Sequence, residues 1–157
     1  MTSRSRYKAA IIGSGSIAGR VALPSKTGDR LTHAGAYKAH SKIQLVASAD
    51  IKSSHAKELA ERWNIPKYYT DYLEMIKDVR PDIVSICVDT NEHKEVFMQS
   101  LRSKIPAIFC EKPLSDNLSS AVKMQKAADE SDTIVSINYH RRWNQTFKQL
   151  KQKLVAN

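Results

Sequence analysis

The stretch that most constrains the fold is residues 8–19, where an apolar run passes directly into a glycine-rich turn. The run at residues 8–12 has the composition of a strand buried on both faces. Gly13 permits a tight turn because it has no Cβ, and Gly15 lets a phosphate group approach the backbone. We expect a helix to start at Ser16, so that its free N–H groups face the phosphates. This order of strand, loop and helix is typical of a dinucleotide-binding fold.

An acidic residue, Asp50, ends the next apolar run, residues 43–49. In a dinucleotide fold such an acid accepts hydrogen bonds from the ribose hydroxyls of adenosine, about 20 residues after the glycines. Here the separation is longer, and we attribute the excess to an insertion between Pro24 and Thr32. A plain helix cap is the alternative role for Asp50. Its charge favours NAD, although Lys52 could offset that charge, so NADP remains an alternative.

Apolar runs and helical spacings alternate along the whole chain. Strands are expected at residues 8–12, 43–50, 68–69, 83–88, 107–110 and 133–137. Between them, helices are expected to begin at Ser53 or Ser54, at Thr70 or Asp71, near residue 92, and at Ser115 or Asp116, with further helical spacing at residues 32–40 and 147–154. This alternation predicts an α/β fold with a Rossmann-type, doubly wound, mostly parallel sheet and helices on both faces.

Composition narrows the class of protein. The chain has 157 residues, which suits one domain, and no apolar run approaches the roughly 20 residues of a membrane span. The basic N-terminus lacks a signal-peptide core, so we expect a cytoplasmic protein. Cys87 and Cys110 fit reduced core thiols, and the scattered histidines indicate no metal site. The net charge of +9 is spread along the chain, which favours a solvated basic surface or an anionic cofactor over nucleic acid. We expect neither nucleic acid nor a membrane as a partner.

Polar clusters follow the carboxyl ends of five predicted strands. They are the glycine turn, Asp50, residues 89–93, residues 111–113 and residues 138–142. In an open parallel sheet, ligands bind outside the carboxyl ends of the strands. We therefore expect the five clusters to share one edge of the sheet and to shape one ligand site.

These clusters resemble the N-terminal domain of the Gfo/Idh/MocA family, named after glucose–fructose oxidoreductase and inositol dehydrogenase. The resemblance covers essentially the whole chain, and its most specific part is Glu-Lys-Pro after a strand. It is carried by Gly13-Ser14-Gly15-Ser16-Ile17-Ala18, Asp50, Thr90 with His93, Glu111-Lys112-Pro113 and Asn138-Tyr139-His140-Arg141-Arg142.

The resemblance implies roles for individual residues. Lys112 is implied to be catalytic, beside the nicotinamide and hydrogen-bonded to a substrate hydroxyl, and its bond to Pro113 is commonly cis in the family. An ordinary surface lysine is the alternative, as a solvated pair is for Arg141 and Arg142. The implied cofactor-binding residues are Gly13, Gly15, Ser16, Ile17, Asp50, Thr90, Asn91, His93, Glu111, Lys112 and Arg142.

The resemblance also implies a function. It predicts the NAD(P)-binding domain, residues 1–143, of an oxidoreductase that transfers a hydride between nicotinamide and a sugar- or polyol-like substrate. Residues 144–157 would begin a linker helix towards a second α/β domain, which holds the substrate and supplies the proton-transfer histidine. We therefore expect this chain to bind cofactor without turnover. A dinucleotide-binding sensor or regulatory module without catalysis is the alternative, and self-association is left open.

Overall fold

The computed structural model of the chain describes residues 6–21 and 31–155, and one six-stranded sheet organises them. The strands are β1 (Tyr7–Ile12), β2 (Ile43–Ala49), β3 (Lys67–Tyr69), β4 (Ile83–Ile86), β5 (Ala107–Cys110) and β6 (Ile134–Ile137). All the pairings are parallel, and the strand order is β3-β2-β1-β4-β5-β6. This is the strand order of a Rossmann fold, so the predicted fold class is confirmed.

Helices connect the strands within the described residues. They are α1 (His33–Ala39), α2 (Ser53–Trp63), α3 (Tyr72–Val79), α4 (His93–Arg102), α5 (Leu118–Asp129) and α6 (Gln145–Val155). Short 3₁₀ turns at Thr90–Glu92 and His140–Trp143 precede α4 and α6. In the parts of the chain that the structure describes, none of the helices combines the length and the apolar character needed to cross a membrane.

The central strand β1 is buried on both faces, which explains its unbroken apolar sequence. Ala9 and Ile11 belong to a core formed with α1 and α2. Ala10 and Ile12 point the other way, into a core formed with α3, α4 and α5. The helices therefore cover both faces of the sheet, and all the strands present their carboxyl ends to the same edge.

The structure corrects the prediction of a helix from Ser16, because a turn lies there instead. Ser16 to Gly19 form a single turn, in which the Gly19 N–H donates to the Ser16 carbonyl over 3.0 Å. Gly19 has a φ of +115°, a left-handed conformation that does not continue a helix. The first helix of the described residues is α1, as the spacing at residues 32–40 predicted. The insertion assigned to residues 24–32 falls mostly outside the described residues.

Two helix starts differ from the sequence prediction. The N-cap of α2 is Lys52, whose side chain makes no capping bond, and the predicted cap Ser53 already lies inside the helix. The N-cap of α5 is Asn117, whose Oδ1 accepts the Ser120 N–H over 2.8 Å, so this helix begins after both predicted caps. The predicted cap of α3, Asp71, is confirmed.

Candidate functional site

A cleft of about 260 Å³ opens at the carboxyl ends of β1, β2 and β4. This is where ligands bind in open α/β sheets, at the point where the strand order reverses direction. The cleft is lined by the loop after β1, by Asp50 with the first residues of the β2–α2 connection, and by Cys87, Val88 and Asp89 after β4. The sequence therefore predicted correctly that the glycine turn and Asp50 share one site.

Gly13 is required by the backbone around it. Its φ is +88°, and a Cβ added there would lie 2.5 Å from the Cys87 carbonyl carbon and 2.6 Å from the Val88 nitrogen. The Gly13 N–H donates to the Ala49 carbonyl over 2.8 Å, and the Cys87 N–H donates to the Ile12 carbonyl over 2.7 Å. The start of the glycine loop, residues 13–19, is thus held between β2 and the residue that follows β4.

Gly15 differs from Gly13, because a Cβ added there would meet nothing within 4 Å. The space beside Gly15 is open to the cleft, as close approach of a phosphate to the backbone requires. Next to it, Ser14 is fully buried, and its Oγ has no hydrogen-bond partner within the described residues. An open glycine beside an unpartnered buried hydroxyl fits a loop that receives a polar ligand.

Asp50 is held against the glycine loop. Its Oδ2 accepts the Ser14 N–H over 2.7 Å, and its Oδ1 accepts the Lys52 N–H over 2.9 Å. The His55 Nδ1 lies 3.8 Å from the same Oδ1. Because an ionised carboxylate offers about four acceptor positions, these contacts leave room for hydroxyl donors from a ligand.

Basic side chains surround Asp50 at the cleft. Arg20 donates from Nε to the Ser14 carbonyl over 2.9 Å and from Nη1 to the Glu58 carboxylate over 2.8 Å. Lys52 and His55 also line the cleft. The sequence analysis missed Arg20 and His55 because neither belongs to a motif. Their positions depend on the turn at residues 16–19 and on the first turn of α2.

The loop after β5 carries Lys112, which is exposed, and its peptide bond to Pro113 is cis, as the resemblance implies. The carboxylate of Glu111 points into the protein and is 7% exposed as a residue. Its Oε1 accepts from His33 Nε2 over 2.8 Å and from Asn138 Nδ2 over 2.6 Å. Its Oε2 accepts the Lys112 N–H over 3.2 Å. Protein partners therefore occupy both carboxylate oxygens.

The charge of Glu111 follows from these contacts. Burial by itself raises the pKa of this carboxyl, but the hydrogen bonds from His33 and Asn138 outweigh burial and bring the pKa to about 2. Nearby, burial and the Glu111 charge together raise the pKa of the Cys87 and Cys110 thiols. Both cysteines are free and buried, which confirms them as core thiols.

His93, the first residue of α4, is buried behind the cleft and 1% exposed. Its Nδ1 lies 2.8 Å from the Pro113 carbonyl oxygen, and its Nε2 lies 3.1 Å from that of Val88. Each ring nitrogen thus faces a backbone carbonyl, and a ring with one N–H donates to only one of the two. Of the predicted site residues, the structure brings Gly13, Gly15 and Asp50 into the cleft lining. The others lie outside that lining: Ser16, Ile17, Thr90, Asn91, His93, Glu111, Lys112 and Arg142.

Comparison with known proteins decides the family. The profile of the GFO_IDH_MocA oxidoreductase family, described as an NAD-binding Rossmann fold, matches residues 7–139. The chain belongs to this family. The resemblance drawn from the glycine loop, Asp50 and the Glu-Lys-Pro loop is therefore confirmed, and the cleft described above belongs to an NAD-binding Rossmann domain.

Relatives in the Gfo/Idh/MocA family include sugar and polyol dehydrogenases. Myo-inositol 2-dehydrogenase from Thermotoga maritima is 34% identical over 108 residues, which are 69% of this chain and 32% of the relative. D-glucoside 3-dehydrogenase from Escherichia coli K12 is 29% identical over 155 residues, which are 99% of this chain and 40% of the relative. The chain thus spans well under half the length of these curated relatives.

Solved structures of dehydrogenases have the same fold. A probable dehydrogenase from Thermotoga maritima superposes with a TM-score of 0.79 at 30% identity, covering 95% of this chain and 41% of that one. The WlbA dehydrogenase from Bordetella pertussis, in complex with NADH and UDP-GlcNAcA, gives a TM-score of 0.81 at 17% identity, covering 96% and 42%. At that identity the second likeness supports the fold alone.

Proposed function

We propose that this chain holds NAD in its cleft and is the cofactor-binding half of an oxidoreductase that moves a hydride between nicotinamide and a hydroxyl-bearing, sugar- or polyol-like substrate. The observation that carries the proposal is the 2.7 Å bond between the Ser14 N–H and Asp50, because it joins a phosphate-accepting loop to a ribose-accepting acid. Bound NAD supplies a ring carbon that accepts or gives up the hydride.

The strand order supports one orientation of the cofactor. Asp50 follows β2, on one side of β1, and accepts the ribose hydroxyls of adenosine. The open space beside Gly15 takes the pyrophosphate, bordered by Ser16 and Ile17 in the turn. The nicotinamide half then extends towards β4, β5 and β6, on the other side of β1.

Lys112 is proposed as the catalytic residue on that second side. It is exposed in the loop after β5, and its ammonium would favour the alkoxide that develops on a substrate hydroxyl as hydride leaves carbon. Thr90, Asn91 and Arg142 follow β4 and β6 and are proposed to border the nicotinamide half.

Both carboxylate oxygens of Glu111 accept from protein donors, and the buried ring of His93 lies between two backbone carbonyls. We therefore propose that they support the nicotinamide half of the site from behind, whereas the family resemblance alone would make them cofactor contacts. A buried group that is fully hydrogen-bonded to protein fixes its neighbours and has little capacity left for a ligand.

Asp50 is also proposed to set the preference for NAD over NADP, because its carboxylate repels a phosphate on the adenosine 2′-oxygen. Arg20, Lys52 and His55 reduce this repulsion without removing it, since Arg20 is paired with Glu58 and the His55 Nδ1 stays 3.8 Å from the carboxylate. NADP is therefore expected to bind more weakly than NAD.

The 157 residues are proposed to bind cofactor without catalysing turnover on their own. Hydride transfer requires a substrate held close to the nicotinamide in a fixed orientation. The chain covers 32% and 40% of the two dehydrogenases compared above, so these residues match less than half of each enzyme.

Fluorescence titration with NADH and NADPH tests the proposal. NADH is expected to bind with a Kd well below about 1 mM and more tightly than NADPH. Incubation with NAD and myo-inositol is expected to form no NADH. Failure of both cofactors to bind at millimolar concentration would remove the proposed binding, and NADH formation would remove the proposed inactivity of the chain.

A further inference from the structure

A buried chain of hydrogen bonds connects α1 to the loop that carries Lys112. The Tyr37 hydroxyl lies 2.6 Å from Ser85 Oγ, which lies 2.8 Å from His33 Nδ1. His33 Nε2 lies 2.8 Å from Glu111 Oε1. These four side chains are all buried, and none of them lines the cleft. The proposed function leaves the role of His33 unexplained.

The direction of the hydrogen bond between His33 and Glu111 is fixed by the carboxylate. Because the pKa of Glu111 is about 2, its carboxylate is ionised near neutral pH and only accepts hydrogen bonds, so His33 Nε2 donates. His33 Nδ1 pairs with Ser85 Oγ over 2.8 Å, and Ser85 Oγ pairs with the Tyr37 hydroxyl over 2.6 Å. Burial raises the pKa of Tyr37, which therefore keeps its proton. Each hydroxyl and ring nitrogen thus has a matching partner.

The network ends on the backbone of Lys112. Glu111 is fixed by His33 from α1 and by Asn138 from the end of β6, and its second oxygen accepts the Lys112 N–H. On the other side of Lys112, the Pro113 carbonyl lies 2.8 Å from His93 Nδ1. The exposed lysine is therefore flanked by two residues, each held by a buried histidine that begins a helix.

We infer that His33 is a positioning residue that acts through Glu111 to fix the backbone of Lys112 at the nicotinamide half of the cleft. This inference rests on the proposed function, in which Lys112 lies beside the nicotinamide. A network that only stabilised the fold would affect every ligand of the cleft alike. A network that positions Lys112 affects only ligands that reach Lys112.

The test compares NADH with ADP-ribose, which has the adenosine, both phosphates and both riboses but no nicotinamide. His33→Leu should weaken NADH binding about fivefold and leave ADP-ribose affinity within about twofold, because it removes the hydrogen bonds to Ser85 and to Glu111, and only the bond to Glu111 leads to Lys112. His33→Gln, which can still donate to Glu111, should restore most of the NADH affinity. Ser100→Ala, which removes a buried hydrogen bond to the Val96 carbonyl, is the matched control and should change the affinity for neither ligand.

A double-mutant cycle with Lys112→Ala makes the test specific. If His33 acts through Lys112, His33→Leu should change NADH affinity by less than about twofold once Lys112 is alanine. Equal losses for both ligands, or an undiminished loss in the Lys112→Ala background, would overturn the inference. Should His33→Leu not fold, as judged by thermal melting, Glu111→Gln replaces it in the same cycle with the same expected coupling.

The outcomes distinguish failure of the cofactor site from failure of the positioning role of His33. If the unmodified chain binds neither NADH nor ADP-ribose, the proposed function is wrong and the inference falls with it. If it binds both but the cycle shows no coupling between His33 and Lys112, the proposed cofactor site stands and only the positioning role of His33 is refuted.

Discussion

The backbone N–H of Ser14 donates a 2.7 Å hydrogen bond to Oδ2 of Asp50. This bond spans the ends of β1 and β2, so two motifs that lie far apart in the sequence form one unit in the protein. The other carboxylate oxygen accepts the Lys52 N–H over 2.9 Å. Asp50 is therefore fixed by two backbone donors and presents its remaining acceptor positions to the cleft.

Replacing Asp50 with alanine is expected to weaken NADH binding about tenfold, since the change removes a hydrogen-bond acceptor. NADPH binding should weaken much less, because the change also removes a charge that repels the 2′-phosphate. Fluorescence titration of both cofactors measures the two affinities. Asp78→Ala removes an exposed carboxylate that pairs with Lys67, and it should change neither affinity. An unchanged preference in Asp50→Ala would refute the ribose-binding role.

The two glycines of the loop should respond differently to alanine. Gly13→Ala is expected to destabilise the fold by about 2–4 kcal/mol, because the new Cβ would collide with the backbone of Cys87 at a positive φ. Gly15→Ala should leave the free energy of unfolding within about 0.5 kcal/mol of that of the original chain, since nothing lies within 4 Å of the added Cβ. The same change should weaken NADH binding about tenfold, because the Cβ occupies the space proposed for a phosphate.

Denaturant unfolding and NADH titration of both variants check this contrast. Strong destabilisation by Gly15→Ala, or full NADH affinity in that variant, would contradict the assignment of the open space beside Gly15 to a phosphate.

Stability should depend on Glu111 in acid. Its pKa lies at about 2, below its ordinary value of 4.5, so its ionised form stabilises the fold above pH 4.5, and this stabilisation is lost as the pH falls towards 2. His33, Asn138 and the buried thiols of Cys87 and Cys110 face this carboxylate.

In Glu111→Gln this contribution is absent at every pH. The difference in unfolding free energy between the original chain and the variant should therefore shrink as the pH falls through that window. Denaturant unfolding at a series of pH values measures it, and a difference that stays constant from pH 4.5 to 2 would show that the carboxylate is not specially stabilised.

Both cysteines should be inert in the folded chain. Burial raises the pKa of Cys110 to about 12 and that of Cys87 well above its usual range, so almost no thiolate exists at about pH 8. Iodoacetamide labelling followed by mass spectrometry should modify neither residue in the native protein and both after unfolding. Native labelling of Cys87 at the rate of a free thiol would contradict its burial.

Much of the architecture could be predicted because strands in a parallel sheet end at one edge. The apolar runs before Gly13, Asp50 and Glu111 are the strands β1, β2 and β5, and their order along the chain suffices to bring the polar residues after them to that edge. Local sequence also indicated the cap at Asp71 and the short edge strand β3.

Other features depend on contacts between distant residues. His33 and Glu111 are 78 positions apart, and nothing near His33 in the sequence indicates a carboxylate partner. The helix expected from Ser16 is replaced by a turn, in which Gly19 adopts a positive φ and its carbonyl accepts the Trp63 Nε1–H over 2.8 Å. Arg20 enters the cleft through the same turn. No local pattern reports such tertiary contacts.

The hydrogen bonds that fix Gly13 and Ser14 also affect the rate at which a ligand binds. Three hydrogen bonds set this segment before anything enters the cleft: from Gly13 to Ala49, from Ser14 to Asp50, and from Arg20 to Ser14. When a dinucleotide binds there, residues 13–14 have little conformational entropy left to lose. Association should then be governed by diffusion and by attraction to the surrounding cations, with no slow ordering step after the encounter.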